Sequence, residues 1–293
     1  EVGRIAKDWA ERRPWFVRSR KAQSNQWIEP SAALVKACLF LRDRDLLPAY
    51  ELGAENLAAT LAALGADGSY NEGLGYADMS VGRLLEAVRL MRDSGDARLS
   101  EEPFVKRSWL WFVQMYMPGG MLVNSFDGAK AWLAEGGTTM PMASLGSAAL
   151  ASGDPNAIST LRYLFPQLKG NYSLEAIQLT AALEGRSEPA RLATDPFAFF
   201  PAQQLLVWRS AFEPLPQAQT AWALWIRGGS ESNNHCHRDQ GHVSVCNRGR
   251  PVLMEAGSSD YGTKEYEGYF SAAAGHGVMQ VGALQPNGED RKS

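Results

Sequence analysis

The chain has 293 residues, 45% of them hydrophobic, and a formal net charge of −3. That length suits one large domain or two smaller ones, and that apolar content supports a packed core, which excludes a disordered chain. Near-neutral charge argues against a broad nucleic-acid-binding surface, so an anionic ligand would have to meet local basic clusters.

In chain order, residues 31–46 carry Leu34, Val35, Cys38, Leu39, Leu41 and Leu46 at helical spacing, with Pro30 and Ser31 suited to the helix start. Residues 52–64 are rich in Ala and Leu and predict a second helix ending at Gly65. A third is expected over 79–92, stopped by Ser94-Gly95-Asp96, and a fourth over 103–117, stopped by Pro118-Gly119-Gly120. Weaker helical stretches follow at 128–135, 142–151, 157–168 and 173–183. Helices alternating with Gly-rich loops are the pattern of stacked helical hairpins.

The pattern changes near residue 195. Pro196, Pro201, Pro214 and Pro216 interrupt it, and strand-like runs follow at 205–208, 221–226, 242–246 and 251–255. The expected organisation is α+β: a helical domain over 1–195 and the start of an antiparallel sheet domain over 196–293. So few strands are poorly self-sufficient, so the sheet should pack on the helices or the natural chain should continue beyond Ser293. No apolar run is long enough to span a bilayer.

The three cysteines, Cys38, Cys236 and Cys246, form neither a disulfide framework nor a CxxC zinc pattern. All four histidines, His235, His237, His242 and His276, lie near the C-terminal end, so the chemistry should concentrate there. The densest polar run is Asn233-Asn234-His235-Cys236-His237-Arg238-Asp239-Gln240-Gly241-His242. In extended backbone His235 and His237 share a face, continued by Asp239. That spacing suits two ligands of one metal, one ligand beside a catalytic imidazole, or a solvated polar loop. Glu255 ends an apolar strand and can complete a metal site or be an ordinary strand-end charge. His276 follows the small residues Ser271-Ala272-Ala273-Ala274-Gly275 and suits a packed structural histidine or a ligand. Upstream lie Ser24-Asn25-Gln26-Trp27 and the Gly-rich loop Asp67-Gly68-Ser69-Tyr70-Asn71-Glu72-Gly73-Leu74-Gly75-Tyr76.

In this order the pieces resemble the heparinase II/III-like polysaccharide lyases, which include oligoalginate lyases. The resemblance runs from about residue 22 to 282 and is most specific over 235–262. It implies an incomplete (α/α) toroid followed by an antiparallel β-sandwich, here truncated, and a periplasmic or secreted bacterial-type setting. It implies Asn25 as the amide that contacts the substrate carboxylate, Tyr76 and His235 as catalytic residues, and His237, Glu255 and His276 as ligands of one structural Zn2+. Two positions depart from the pattern: Gln26 stands where many relatives have histidine, and Glu255 where aspartate is common.

The implied reaction is β-elimination at a uronic acid. Asn25, with His235, would stabilise the enolate that develops when the C5 proton leaves, while Tyr76 or His235 supplies base and acid, Tyr76 with a pKa lowered by nearby cations. Candidate substrate contacts are Gln26, Trp27, Glu72, Arg238 and Arg209. The expected partner is an anionic polysaccharide or oligosaccharide; no nucleic acid and no membrane span are expected, and a homodimer is allowed. A uronyl C5-epimerase shares the same carbanion. A glycoside hydrolase would need a carboxylate pair such as Glu72 and Asp239, whose spacing does not support one. A non-catalytic carbohydrate-binding protein would keep the aromatics and ligands but tolerate loss of Tyr76.

Overall fold

The structure is a computed structural model. It describes residues 1–12, 21–118, 121–127, 142–164, 183–184, 187, 189–212, 220–228 and 235–280. Its helices are α1 (Val2–Arg12), α2 (Asn25–Leu41), α3 (Leu47–Ala63), α4 (Gly73–Asp93), α5 (Pro103–Gln114), α6 (Met142–Ser152) and α7 (Pro155–Leu164). A two-residue pair, β1 (Tyr116–Met117) and β2 (Met121–Leu122), follows α5. The expected helix at 128–135 lies outside the described residues, as do all but the last residue of 173–183 and the end of 157–168.

Helices α2, α4 and α6 pack as successive neighbours, with α3 against α2 and with α5 and α7 against α6. Helices α2, α3 and α4 begin more than a turn earlier than their sequence signals. Helix α2 starts at Asn25 and carries Pro30 inside it. Proline removes a backbone donor there, but tertiary contacts hold the preceding turn. The Asn25 backbone N–H donates to Glu72 Oε2 at 3.3 Å, and the Trp27 indole N–H donates to the Asn56 carbonyl at 3.2 Å. Helix α3 starts at Leu47, with a proline in its first turn. Helix α4 starts at Gly73, which moves Tyr76 from the expected loop onto its first turn.

The sheet has five antiparallel strands in sequential order: β3 (Phe197–Phe200), β4 (Leu205–Arg209), β5 (Trp222–Arg227), β6 (His242–Asn247) and β7 (Arg250–Leu253). Strand β3 was not expected, because Pro196 and Pro201 were read as interruptions; they bound the strand instead. The sheet packs on the helices. Phe200, Leu205, Val207, Ala223, Trp225 and Cys246 belong to the same buried cluster as Leu84, Trp111 and Phe112. The alternate residues face the other way, where Phe197, Phe199 and Trp222 are exposed. The fold is therefore α+β, helix-rich with one antiparallel sheet. No helix among the described residues is long and apolar enough to cross a membrane.

Candidate active site and metal centre

The site lies where the first turn of α4 meets the segments flanking β6 and β7. Gly73, at φ +82°, opens α4. A Cβ on it would lie 2.8 Å from the Ser125 carbonyl oxygen and 2.9 Å from the Phe126 ring, so only glycine lets the 125–127 segment approach Tyr76 this closely. Phe126 itself has φ 69°, a left-handed conformation rare for an aromatic residue. Its ring lies under the Arg227 guanidinium, 3.7 Å from ring centroid to carbon.

Arg227 also faces Asp239 at 3.3 Å, and its Nη2 donates to Cys236 Sγ at 2.8 Å. Asp239 therefore belongs to this buried clamp and not to a face shared with the two histidines. Cys236 turns towards Arg227 while its neighbours His235 and His237 both reach a residue that the sequence reading missed, Asp127. The one-residue spacing thus does put the two imidazoles on one partner, although His235 sits at φ 54° and not in extended backbone.

Asp127 is the centre of the site. Its Oδ2 lies 2.7 Å from His235 Nδ1 and accepts from the Tyr261 hydroxyl at 2.8 Å. Its Oδ1 lies 2.8 Å from His237 Nε2 and accepts from the Tyr266 hydroxyl at 2.7 Å. The Tyr76 ring stacks on the His235 ring, centroids 3.9 Å apart and 16° between planes, and its hydroxyl meets that of Tyr261 at 2.6 Å. Because the Tyr261 proton goes to the carboxylate, Tyr76 is the donor in the phenol pair. Burial raises the Tyr261 phenol pKa far above its ordinary value, and the Tyr76 hydrogen bond and the Asp127 charge add to the rise. The charge beside this phenol pair is thus a carboxylate, where cations were expected.

Exposure falls steeply through the site. Tyr261 is 55% exposed at the mouth, whereas the Asp127 side chain is 2% exposed and that of His237 fully buried. Below them His237, Glu255 and His276 bring one potential ligand atom each within 4.8 Å of one another. His276 Nδ1 approaches Glu255 Oε1 to 2.5 Å, without the angles of a hydrogen bond. His237 Nδ1, both Glu255 oxygens and both His276 nitrogens have no hydrogen-bond partner among the described residues. Unpartnered buried polar atoms are costly, and two imidazoles with a carboxylate are a donor set that zinc accepts, so these residues fit a cation. His242 lies beside them, its Nδ1 3.5 Å from Glu255. It accepts from the Gly277 N–H at 2.9 Å on Nδ1 and meets Ser244 Oγ through Nε2 at 2.8 Å, which makes it a neutral ring with both nitrogens used. Burial lowers its pKa accordingly.

The remaining candidates separate. Asn25 opens α2 and is tied through its backbone to Glu72, the residue that precedes α4. Glu72 is fully buried and accepts from the Tyr70 hydroxyl at 2.8 Å, so it braces the two helix starts and does not face a substrate. Arg209 is likewise buried: its Nη2 donates to the Gln114 carbonyl and side-chain oxygens, both at 2.8 Å, and burial lowers its pKa to about 9. Trp27 is half-buried and anchors α2 to α3, while Gln26 and Arg238 are exposed. Asp127, Tyr261 and Tyr266 were not singled out from the sequence. The only signal was compositional, three tyrosines downstream of Glu255 (Tyr261, Tyr266 and Tyr269) and an aspartate after Ser125-Phe126.

No protein-family model matches the chain, and no curated protein matches it in sequence. Solved structures do match in fold. A heparinase III structure has a TM-score of 0.64 at 14% identity, covering 89% of this chain and 40% of that one. A heparinase III structure with methylated lysines has 0.62 at 13%, covering 86% and 36%. A heparan sulfate lyase mutant from Pedobacter heparinus has 0.52 at 12%, covering 80% and 33%. The chain spans less than half the length of these proteins, and at such identities the likeness is one of fold: this chain folds as the heparinase III structures do over most of its length.

Proposed function

We propose that this chain belongs to a polysaccharide lyase that cleaves a uronic-acid-containing polysaccharide by β-elimination. One observation carries the reading: a tyrosine and a histidine are stacked at the open end of a site, beside the exposed Tyr261 and above a buried carboxylate and a buried histidine. The fold likeness to heparinase III and heparan sulfate lyase structures supports it and makes heparan sulfate the first substrate to try.

In this reading the Asn25 amide, with His235, hydrogen-bonds the uronate carboxylate and stabilises the enolate that forms as the C5 proton leaves. His235 Nε2 and the Tyr76 hydroxyl divide the work of taking that proton and protonating the departing O4 oxygen. Asp127 holds the histidine, and Tyr261 holds the Tyr76 hydroxyl. Gln26 and Arg238, both exposed, are left as substrate contacts. A C5-epimerase must return a proton to the opposite face of the sugar. The stacked Tyr76–His235 pair presents its two groups on one side, which favours elimination. A zinc ion held by His237, Glu255 and His276 would neutralise Glu255 and tie the end of β7 to the turn before His276. The uncovered apolar face of the sheet (Phe197, Phe199, Trp222) is where the second layer of a sandwich would pack, and the row α2, α4 and α6 would belong to an incomplete helical toroid. A periplasmic or secreted setting goes with this function.

The test is absorbance of the unsaturated product on a panel of uronic-acid polysaccharides, heparan sulfate and alginate included. A rise with one of them, reduced at least about a hundredfold in Tyr76→Phe, is the expected result. A folded protein that gives no rise on any member of the panel refutes the reading.

A further inference from the structure

Several features lie outside the proposed chemistry: a groove of arginines at the ends of α2 and α4, a polar groove beside β3, and the open face of the sheet. Asp127 differs, because its geometry constrains two other residues.

A carboxylate has about four lone-pair positions and, ionised, only accepts. Asp127 places four partners at 2.7–2.8 Å: His235 Nδ1 and the Tyr261 hydroxyl on Oδ2, His237 Nε2 and the Tyr266 hydroxyl on Oδ1. Each imidazole must therefore present an N–H to it. In a neutral ring the hydrogen bond at one nitrogen fixes the tautomer and so decides what the other nitrogen can do. For His235 the proton sits on Nδ1, leaving the Nε2 lone pair. For His237 it sits on Nε2, leaving the Nδ1 lone pair, the atom that is buried and without a partner beside Glu255 and His276.

The chain is built to keep this carboxylate in place. Phe126, just before it, is wedged between Gly73 and the Arg227 guanidinium at a left-handed φ. Arg227 in turn grips Cys236, the residue between the two histidines, and Asp239 just after them. A left-handed non-glycine residue on each side of the contact, Phe126 and His235, is strain that the surrounding packing must hold.

We propose that Asp127 is the positioning residue of this site, one carboxylate oxygen to each imidazole, setting opposite tautomers on His235 and His237. The first is thereby fitted to act as a base towards the open side and the second to bind a cation from the buried side. A single buried group then couples the catalytic half of the site to the metal half. The catalytic role of His235 rests on the lyase reading; the tautomers do not.

The test is nitrogen-15 histidine spectroscopy on the full chain, followed over a pH series and read where each ring shows the nitrogen shifts of a neutral imidazole. With four histidines the spectrum is assignable by single substitutions. The expected result is Nδ1–H for His235 and Nε2–H for His237 in the wild-type protein. The opposite tautomer at either ring overturns the proposal, and this measurement needs no variant to fold. In Asp127→Asn, which removes one acceptor oxygen, at least one ring should lose its single tautomer. Zinc affinity, read by competition with a chromogenic chelator, should fall by about 10- to 100-fold. Unchanged tautomers and affinity in a folded Asp127→Asn protein also overturn it. If a lyase substrate is found, the same variant should lower kcat with little change in KM. Tautomers as stated in a protein that cleaves no polysaccharide would leave this proposal standing while the lyase reading fails.

Discussion

The clamp formed by Arg227 and Asp239 gives a prediction whose size can be worked from the structure. The two side chains are 1% and 0% exposed and approach to 3.3 Å. At an effective dielectric constant of ~20, unit charges at that distance attract by about 5 kcal/mol. Neither Asp239 oxygen makes a hydrogen bond of good geometry among the described residues, so attraction to Arg227 is what opposes the desolvation of this carboxylate. Asp239→Leu leaves the guanidinium buried with Phe126 and Cys236 as its company. Removing Asp239 also relieves the desolvation of its carboxylate, which offsets part of that attraction, while the contact with Phe126 is the same in both proteins. The expected cost is therefore about 3 kcal/mol, the lower end of what breaking one side of a buried pair brings. Arg227→Met should cost a similar amount. The double variant, with apolar groups of similar volume at both positions, should lie within about 1–2 kcal/mol of the wild type. Urea unfolding followed by circular dichroism measures all three, and the double-mutant cycle isolates the coupling. Additive losses, or an Asp239→Leu loss below about 1 kcal/mol, would refute the claim that this pair holds the site's two segments together.

Other consequences are simpler to check. Cys38, Cys236 and Cys246 are all buried, so a thiol reagent should label none of them within minutes in the native protein and all three after denaturation. Burial pushes the Cys246 thiol up to about 11. A thiol with a raised folded pKa stabilises the fold fully below its unfolded pKa, about 8.5, and loses that contribution as pH rises towards the folded value. Wild-type stability should thus fall by about 2–3 kcal/mol more than that of Cys246→Ala between pH 8.5 and 11, and equal slopes would count against it. Gly68 and Gly95 both have positive φ, 85° and 98°. A Cβ at Gly68 would lie 2.5 Å from the Arg107 carbonyl carbon, whereas one at Gly95 meets nothing within 4 Å. Gly68→Ala should therefore cost clearly more than Gly95→Ala, which should lose only the ~1–2 kcal/mol of left-handed strain; equal melting shifts would disprove the distinction.

Much of the fold was legible because it rests on local signals. The helical stripes, the Gly-rich stops and the strand-like runs at 205–208 and 242–246 come from residues close in sequence, and four strands lie within a residue or two of where they were expected. The failures share one cause. Helix α2 runs through Pro30 because Glu72 and Asn56 hold its first turn. Strand β3 forms between two prolines because it is an edge strand that pairs only with β4, so each proline's missing donor falls outside the ladder. In each case a distant contact overrides a local signal, and a single sequence does not display such contacts.

Asp127 is the extreme instance. Its partners lie 108 to 139 residues away, and its own neighbourhood carries no spacing that marks it. What the sequence did show was its complement: two imidazoles with a single residue between them. A pair of histidines at that spacing needs something to distinguish the two rings, since the same side chain is asked to act as a base at one position and a ligand at the next. The spacing supplies proximity and leaves the rings chemically alike. A carboxylate whose two oxygens meet opposite ring nitrogens makes them different. A buried acid was therefore the part to look for once the histidine pair had been seen, and its place in the chain was the part that only the fold could give.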